Sequence, residues 1–195
     1  MRSFSTILAT ASLLAFTSAL PEPIFGGRNG NPVRGGSCMT QAEAQQVADN
    51  FQNLIANYSD TLANESLTVG YQDYSDSVTT LIDSGCTGPQ PLGAATFDSR
   101  ASFEAGQGSQ PAIPFEQLNV WYNCDNVFLR WRTALTPEFV TGIIVMETVP
   151  APAGSKYPWL INTVYSEFNS GAWLVDLGVF VPSNCSSSSR RLLRA

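Results

Sequence analysis

Along this chain the apolar positions change rhythm once, from a helical spacing to a strand spacing. Between Gln41 and Tyr58, Ala44, Val47, Ala48, Phe51, Leu54, Ile55 and Tyr58 recur every three or four residues, which makes one apolar face across four helical turns. Thr40-Gln41-Ala42-Glu43 ahead of that run is a capping box, so the start of the helix is written locally. A short second helix is predicted over Thr61–Ser66. Val69–Asp76 reads as extended, with Tyr71, Asp73 and Ser75 on one side and Gln72, Tyr74 and Asp76 on the other. Ser77–Asp83 fits either a continued strand or a helix. Gly85–Gly93, broken by Pro89 and Pro91, is a loop. Asp98 or Ser99 caps a helix over Ala101–Gly106, and Gly108–Pro114 links that helix to a strand-rich half.

From Phe115 onward the period shortens to two. Five consecutive strands are predicted: Phe115–Tyr122, Asn126–Thr133, Phe139–Val149, Trp159–Phe168 and Ala172–Val181. Val127, Leu129 and Trp131 alternate with Phe128, Arg130 and Arg132, and Asn123-Cys124-Asp125-Asn126 makes the tight turn before them. Ile161, Thr163, Tyr165 and Glu167 alternate with Leu160, Val164 and Phe168. Helices first and a long meander afterwards predict an α+β fold: a cone-shaped, curved antiparallel sheet with the N-terminal helices on its concave face, enclosing a pocket. Both faces of the sheet carry apolar residues, so its convex face also calls for cover. Phe128, Val145 and Val164 are expected there, where a homodimer could form through the sheet.

The chain ends add a compartment to this picture. Arg2, the apolar run Ile7–Phe16 and the small residues Thr17-Ser18-Ala19 form a secretory signal peptide over residues 1–19. Residues 20–37 are a Gly-, Pro- and Arg-containing leader, residues 38–185 a single domain, and residues 186–195 a serine-rich, basic tail expected to be disordered. The apolar run is too short to span a bilayer. The net charge of −6 argues against nucleic acid and anionic membranes as partners. Only 13% of residues are charged, so uncharged polar residues and sugar must supply solubility; Asn57-Tyr58-Ser59 and Asn64-Glu65-Ser66 are acceptor triplets for glycosylation. Four cysteines in a secreted chain imply two disulfides among Cys38, Cys86, Cys124 and Cys185. Cys86–Cys124 and Cys38–Cys185 are the pairings that the predicted layout favours.

Chemistry is limited by one absence: the chain has no histidine. That removes the commonest general base and metal ligand, and no CxxC pair or EF-hand spacing takes its place. No metal and no cofactor are therefore expected. No Gly-x-Ser-x-Gly elbow or phosphate-binding loop occurs either. What remains is carboxylates among aromatic rings. Tyr71, Trp121, Arg130, Trp131 and Tyr165 are the candidate ligand-binding side chains, because rings with one or two polar groups make a small-molecule site. Cross-strand pairing of Arg130 and Arg132 with Glu147 and Glu167 is the purely structural account of those charges.

Several segments together resemble a known family. They are Asp73-Tyr74-Ser75-Asp76-Ser77, Thr96-Phe97-Asp98-Ser99-Arg100, Ile113-Pro114-Phe115-Glu116, Cys124-Asp125, Arg130-Trp131 and Tyr165–Trp173. With the order of elements, they are similar to the nuclear transport factor 2-like superfamily, and within it to a group of secreted fungal proteins. The likeness spans Cys38 to about Cys185. The superfamily holds dehydratases, isomerases, small-molecule binders and protein-binding modules, so the fold alone does not choose among them. Its dehydratases use an Asp–His pair, which this chain cannot form. Its isomerases use a carboxylate base and a Tyr donor in an apolar cavity. The resemblance thus makes Asp73, Asp76, Tyr74 and Glu167 the candidate catalytic residues. The expected role is a domain binding a small apolar ligand or an extracellular protein; the alternative is a cofactor-free lyase or isomerase.

Overall fold

The computed structural model describes residues 38–182. The expected signal peptide, leader and tail lie outside the described residues, as does Cys185. The chain opens with α1 (Gln41–Ala56) and α2 (Asp60–Ser66), enters β1 (Leu67–Tyr74), and continues through α3 (Asp76–Ile82) and α4 (Arg100–Gln107). Strands β2 (Glu116–Tyr122), β3 (Asn126–Thr133), β4 (Val140–Pro150) and β5 (Trp159–Phe168) come next, and α5 (Ser170–Asp176) closes the described fold. The capping box at Thr40 is present with both reciprocal hydrogen bonds, and Ala44, Val47, Ala48, Phe51 and Leu54 of α1 are buried.

The strands form one curved, open sheet in the order β1-β5-β4-β3-β2. Antiparallel hairpins join β2 to β3, β3 to β4 and β4 to β5, as the meander required. The sheet is nevertheless mixed, because β1 pairs with β5 in parallel. Connectivity accounts for this: β1 and β5 are far apart in the chain, which leaves room for the crossover that parallel pairing needs. The core lies between the inner face of this sheet and the helices. Val127, Leu129 and Trp131 of β3, and Val140, Ile144 and Met146 of β4, are the inward side chains.

Three expectations need correction. The predicted fifth strand, Ala172–Val181, begins as helix α5. Asn169 caps it by accepting from the Ala172 amide, and Trp173 and Leu174 are buried, a helical spacing that alternation over Trp173, Val175, Leu177 and Val179 conceals. Val164 does not face outward. A bulge in the β4–β5 ladder, between Glu147 and Thr148, resets the phase of β5, so Ile161 and Val164 both point inward and are buried. Tyr165 is thereby turned outward.

The third correction concerns the cysteines. Cys38 bonds to Cys124, not to Cys185, and Cys86 is exposed without a partner among the described residues. The tip of the β2–β3 hairpin lies beside the start of α1, where the Met39 amide donates to the Cys124 carbonyl (3.0 Å). The bond joins residues 86 positions apart, a constraint of ~2–4 kcal/mol on the unfolded chain, and ties the far hairpin to the first helix.

The outer face of the sheet carries an uninterrupted row. Tyr74 of β1 is paired with Tyr165, Tyr165 with Val145, Val145 with Phe128, and Phe128 with Trp121, so one line of apolar side chains crosses all five strands. Tyr74 and Tyr165 stack at 5.4 Å. Asn57 and Asn64, the asparagines of the two acceptor triplets, are both exposed.

Candidate functional site

Curvature leaves the inner face of the sheet incompletely filled by the helices. A cavity of about 580 Å³ remains, within the range typical of small-molecule sites. Its walls come from every layer: Phe51 of α1, Leu81 of α3, Phe103 of α4, Trp131 of β3, Phe168 of β5 and Trp173 of α5. Its mouth lies among Ile82, Gln110 and Leu177, which are exposed. The linker from Gly108 to Pro114 runs along this opening without regular structure, because Pro111 and Pro114 prevent it from joining β2.

The aromatic lining falls into two groups. Phe97 and Phe103 meet edge to face at 5.5 Å, and Phe103 also meets Tyr71 at 5.3 Å. Across the cavity, Phe115 stacks on Trp131 at 4.6 Å, and Trp131 and Trp173 both contact Phe168. Gly142 permits the second group. A Cβ there would stand 2.7 Å from both Trp131 Nε1 and Phe168 Cβ, so the indole lies flat over β4 only because that position has no side chain.

One ionisable side chain lines this cavity among the described residues: Asp73. Its position is fixed by backbone pairing on both sides. β1 pairs with β5 through Asp73 and Val164, and an isolated bridge joins Asp73 to Phe97, with the Asp73 amide donating to the Phe97 carbonyl (2.8 Å). The carboxyl is buried. Tyr71, two residues earlier on the same side of β1, donates its hydroxyl to Asp73 Oδ2 (3.0 Å). Oδ1 has no hydrogen-bond partner. Burial disfavours the charged form and outweighs the help from Tyr71; the Glu167 charge adds to the effect, and the carboxyl is pushed up to about 7. Burial and the adjacent Asp73 likewise raise the Tyr71 hydroxyl well above the ordinary phenol range.

The other residues singled out from sequence divide sharply. Trp131 lines the cavity. Tyr71 lies behind Asp73 in the core. Trp121 and Tyr165 are half exposed on the outer face, with Tyr74 stacked on Tyr165, so none of the three reaches the cavity. Arg130 is exposed on that same face and makes no ion pair among the described residues; Arg132 pairs with Glu116 (2.7 Å), not with Glu147. Asp76 and Glu167 serve the backbone. Asp76 Oδ1 accepts from the Gly93 amide (2.6 Å), and Glu167 receives the Asp76 and Ser77 amides at the start of α3 (2.9 and 3.0 Å). Phe97, Phe103, Gln107 and Phe115 line the cavity without having been singled out. Phe103 does carry a signal, since it is the one large apolar residue in a helix of mostly small and polar ones. Gln107 carries none.

A family model described as an NTF2-like domain matches residues 37–180. No curated protein matches the chain. Among solved structures, a proposed polyketide cyclase from Streptomyces antibioticus is 11% identical, with 69% of this chain and 98% of that one covered and a TM-score of 0.48. A SnoaL-like protein of unknown function from Burkholderia thailandensis is 17% identical over 67% of this chain and 98% of that chain, at a TM-score of 0.45. A proposed ketosteroid isomerase from Kribbella flavida is 9% identical over 79% and 90%, at 0.47. Likeness at this level carries no chemistry from those proteins to this one.

The burial of Asp73 has a pH signature. A carboxyl that holds its proton more tightly when folded stabilises the fold least at high pH, so its contribution falls from about pH 4 to about pH 7 and then stays level. Asp73→Asn should match the wild type near pH 4 and exceed it by up to ~4 kcal/mol at pH 8 in urea denaturation. A difference independent of pH would show that this carboxyl is not desolvated.

Proposed function

The chain belongs to the NTF2-like domain family, and from that premise we propose that it binds one small, largely apolar molecule in the cavity beside Asp73. The carrying observation is the cavity itself: about 580 Å³, walled by aromatic and aliphatic side chains, with a single carboxyl set into the wall. A molecule entering it removes apolar surface from water on both sides and meets a few directional groups, Asp73 Oδ1, Gln107 Nε2 and Trp131 Nε1, the combination that gives small-molecule sites both affinity and orientation. We place this activity outside the cell. The short apolar leader and small-residue cleavage pattern support that placement, as does a disulfide closing a long loop, a bond that persists in oxidising compartments.

A second reading follows from the state of Asp73. A carboxyl that titrates near 7 and has one oxygen unpartnered meets the requirement for general acid–base work. On that reading the domain moves a proton on a bound carbonyl compound, as a cofactor-free isomerase or lyase. Asp73 takes the proton, and Tyr71 holds the carboxyl in place through Oδ2. Arg130, Tyr165, Trp121 and Tyr74 have no part in it, because they lie on the other face of the sheet.

Both readings have direct tests. Nile red, a neutral apolar fluorophore, is expected to bind one molecule per chain with a blue-shifted emission. Ser166 is buried on β5 and lines the cavity, so Ser166→Phe should take up part of the space and weaken that emission in a protein that stays folded. Undiminished dye binding in a folded Ser166→Phe protein would show that the cavity is not the site. For proton transfer, a cyclic ketone incubated in D2O should exchange its α-hydrogens faster with the wild type than with Asp73→Asn, measured by NMR. Equal rates would remove the catalytic reading and leave the binding one standing.

A further inference from the structure

The cavity is asymmetric in charge. Its lining offers a buried carboxyl and many ring faces, yet not one Lys or Arg among the described residues. The protein therefore gives Asp73 no cationic partner. The titratable groups around it are Tyr71 on its own strand and the carboxylate of Glu167 on β5; neither supplies positive charge. The bases of the domain are accounted for elsewhere: Arg100 pairs with Glu104, Arg132 with Glu116 and Lys156 with Glu65, while Arg130 sits on the outer face. A ligand carrying an anionic group would meet no Lys or Arg in this lining, only the neutral donors Gln107 Nε2 and Trp131 Nε1, which lack partners, and the like charge of Asp73.

We propose that the ligand class is a hydrophobic amine, a compact apolar skeleton bearing a protonated secondary or tertiary nitrogen that pairs with Asp73. The inference rests on the cavity being the binding site. Three independent features of the molecule fit that class. Asp73 Oδ1 lacks the hydrogen-bond donor that a buried oxygen ordinarily has, and an ammonium N–H supplies one. Phe97, bridged to Asp73 through the backbone, and Phe103, packed edge to face against it, line the same cavity, and aromatic rings attract a desolvated cation in addition to the carboxylate. The chain as a whole is acidic, with a net charge of −6, so its field draws cations toward the opening. The far group, Phe115, Trp131, Phe168 and Trp173, then receives the apolar skeleton. Binding in this way converts Asp73 to its charged form, because the ammonium offsets the burial that otherwise keeps the proton on.

The test uses three probes of one shape: N,N-dimethyl-2-(2-naphthyl)ethylamine, the hydrocarbon in which a C–H replaces its N⁺–H, and a naphthyl carboxylate of the same length. Each competes with Nile red for the wild type and for Asp73→Asn. At pH 8 the amine should bind the wild type about tenfold or more tightly than the hydrocarbon, and the carboxylate should not compete. The amine's advantage should shrink as pH falls from about 8 to about 5, because Asp73 then keeps its proton. In Asp73→Asn the hydrocarbon should still bind, which shows a folded cavity, and the amine should lose its advantage. Equal binding of amine and hydrocarbon to the wild type would overturn the proposal while leaving the cavity as a site. So would an amine preference that survives in Asp73→Asn. Failure of all three probes and of the dye would overturn the reading beneath it as well.

Discussion

The candidate site depends on one unfavourable burial. Asp73 sits in a wall of rings, held there by backbone pairing to β5 on one side and to Phe97 on the other, with a single donor for its two oxygens. An isolated carboxylate in such surroundings costs several kcal/mol, and the protein lowers that cost by keeping the proton rather than by supplying a counter-charge. A leucine or an asparagine at this position would serve folding as well or better. Polar groups that do not serve the fold are where function is best sought.

The surrounding architecture can be understood as the support for that site. The capped helix α1 and the bond between Cys38 and Cys124 hold one end of the sheet against the helices. Glu167 anchors the first turn of α3, Asp76 fastens the following loop at Gly93, and Asp83 does the same at Gln90 (3.1 Å). These three carboxylates are engaged by backbone amides, which explains why they are absent from the cavity. Gly142 lets Trp131 lie flat, and the linker from Gly108 to Pro114 stays irregular at the mouth. Space remains inside because the helices leave part of the inner face of the curved sheet uncovered.

Much of this is legible in the sequence, and the illegible part has a common cause. The helix at Gln41, its cap, the four hairpin-linked strands and the shared side of Tyr71 and Asp73 all follow from local periodicity. Which side of β1 faces inward does not, because Tyr71, Asp73, Gln72 and Tyr74 offer a ring and a polar group on each side. Trp121 and Tyr165 resemble cavity residues by type, yet the register places them in the outer row. The bulge in the β4–β5 ladder decides Tyr165, and no residue in that stretch announces it. Helix α5 reads as a strand because Trp173, Val175, Leu177 and Val179 alternate with a period of two, while the pair it buries, Trp173 and Leu174, is too short a signal to show the helical period. The pairing of Cys38 with Cys124 is hidden from spacing because a hairpin folding back onto α1, a tertiary event, sets the distance between them.

The central claim concerns the proton on Asp73, and it can be observed directly. Aspartate labelled with ¹³C at the side-chain carboxyl, with the resonance of interest assigned by its loss in Asp73→Asn, reports each carboxyl's ionisation through its chemical shift as pH is raised. The account predicts one aspartate that remains protonated through about pH 5 and titrates near pH 7. A full set of aspartates ionised by about pH 5, Asp73 among them, would contradict it.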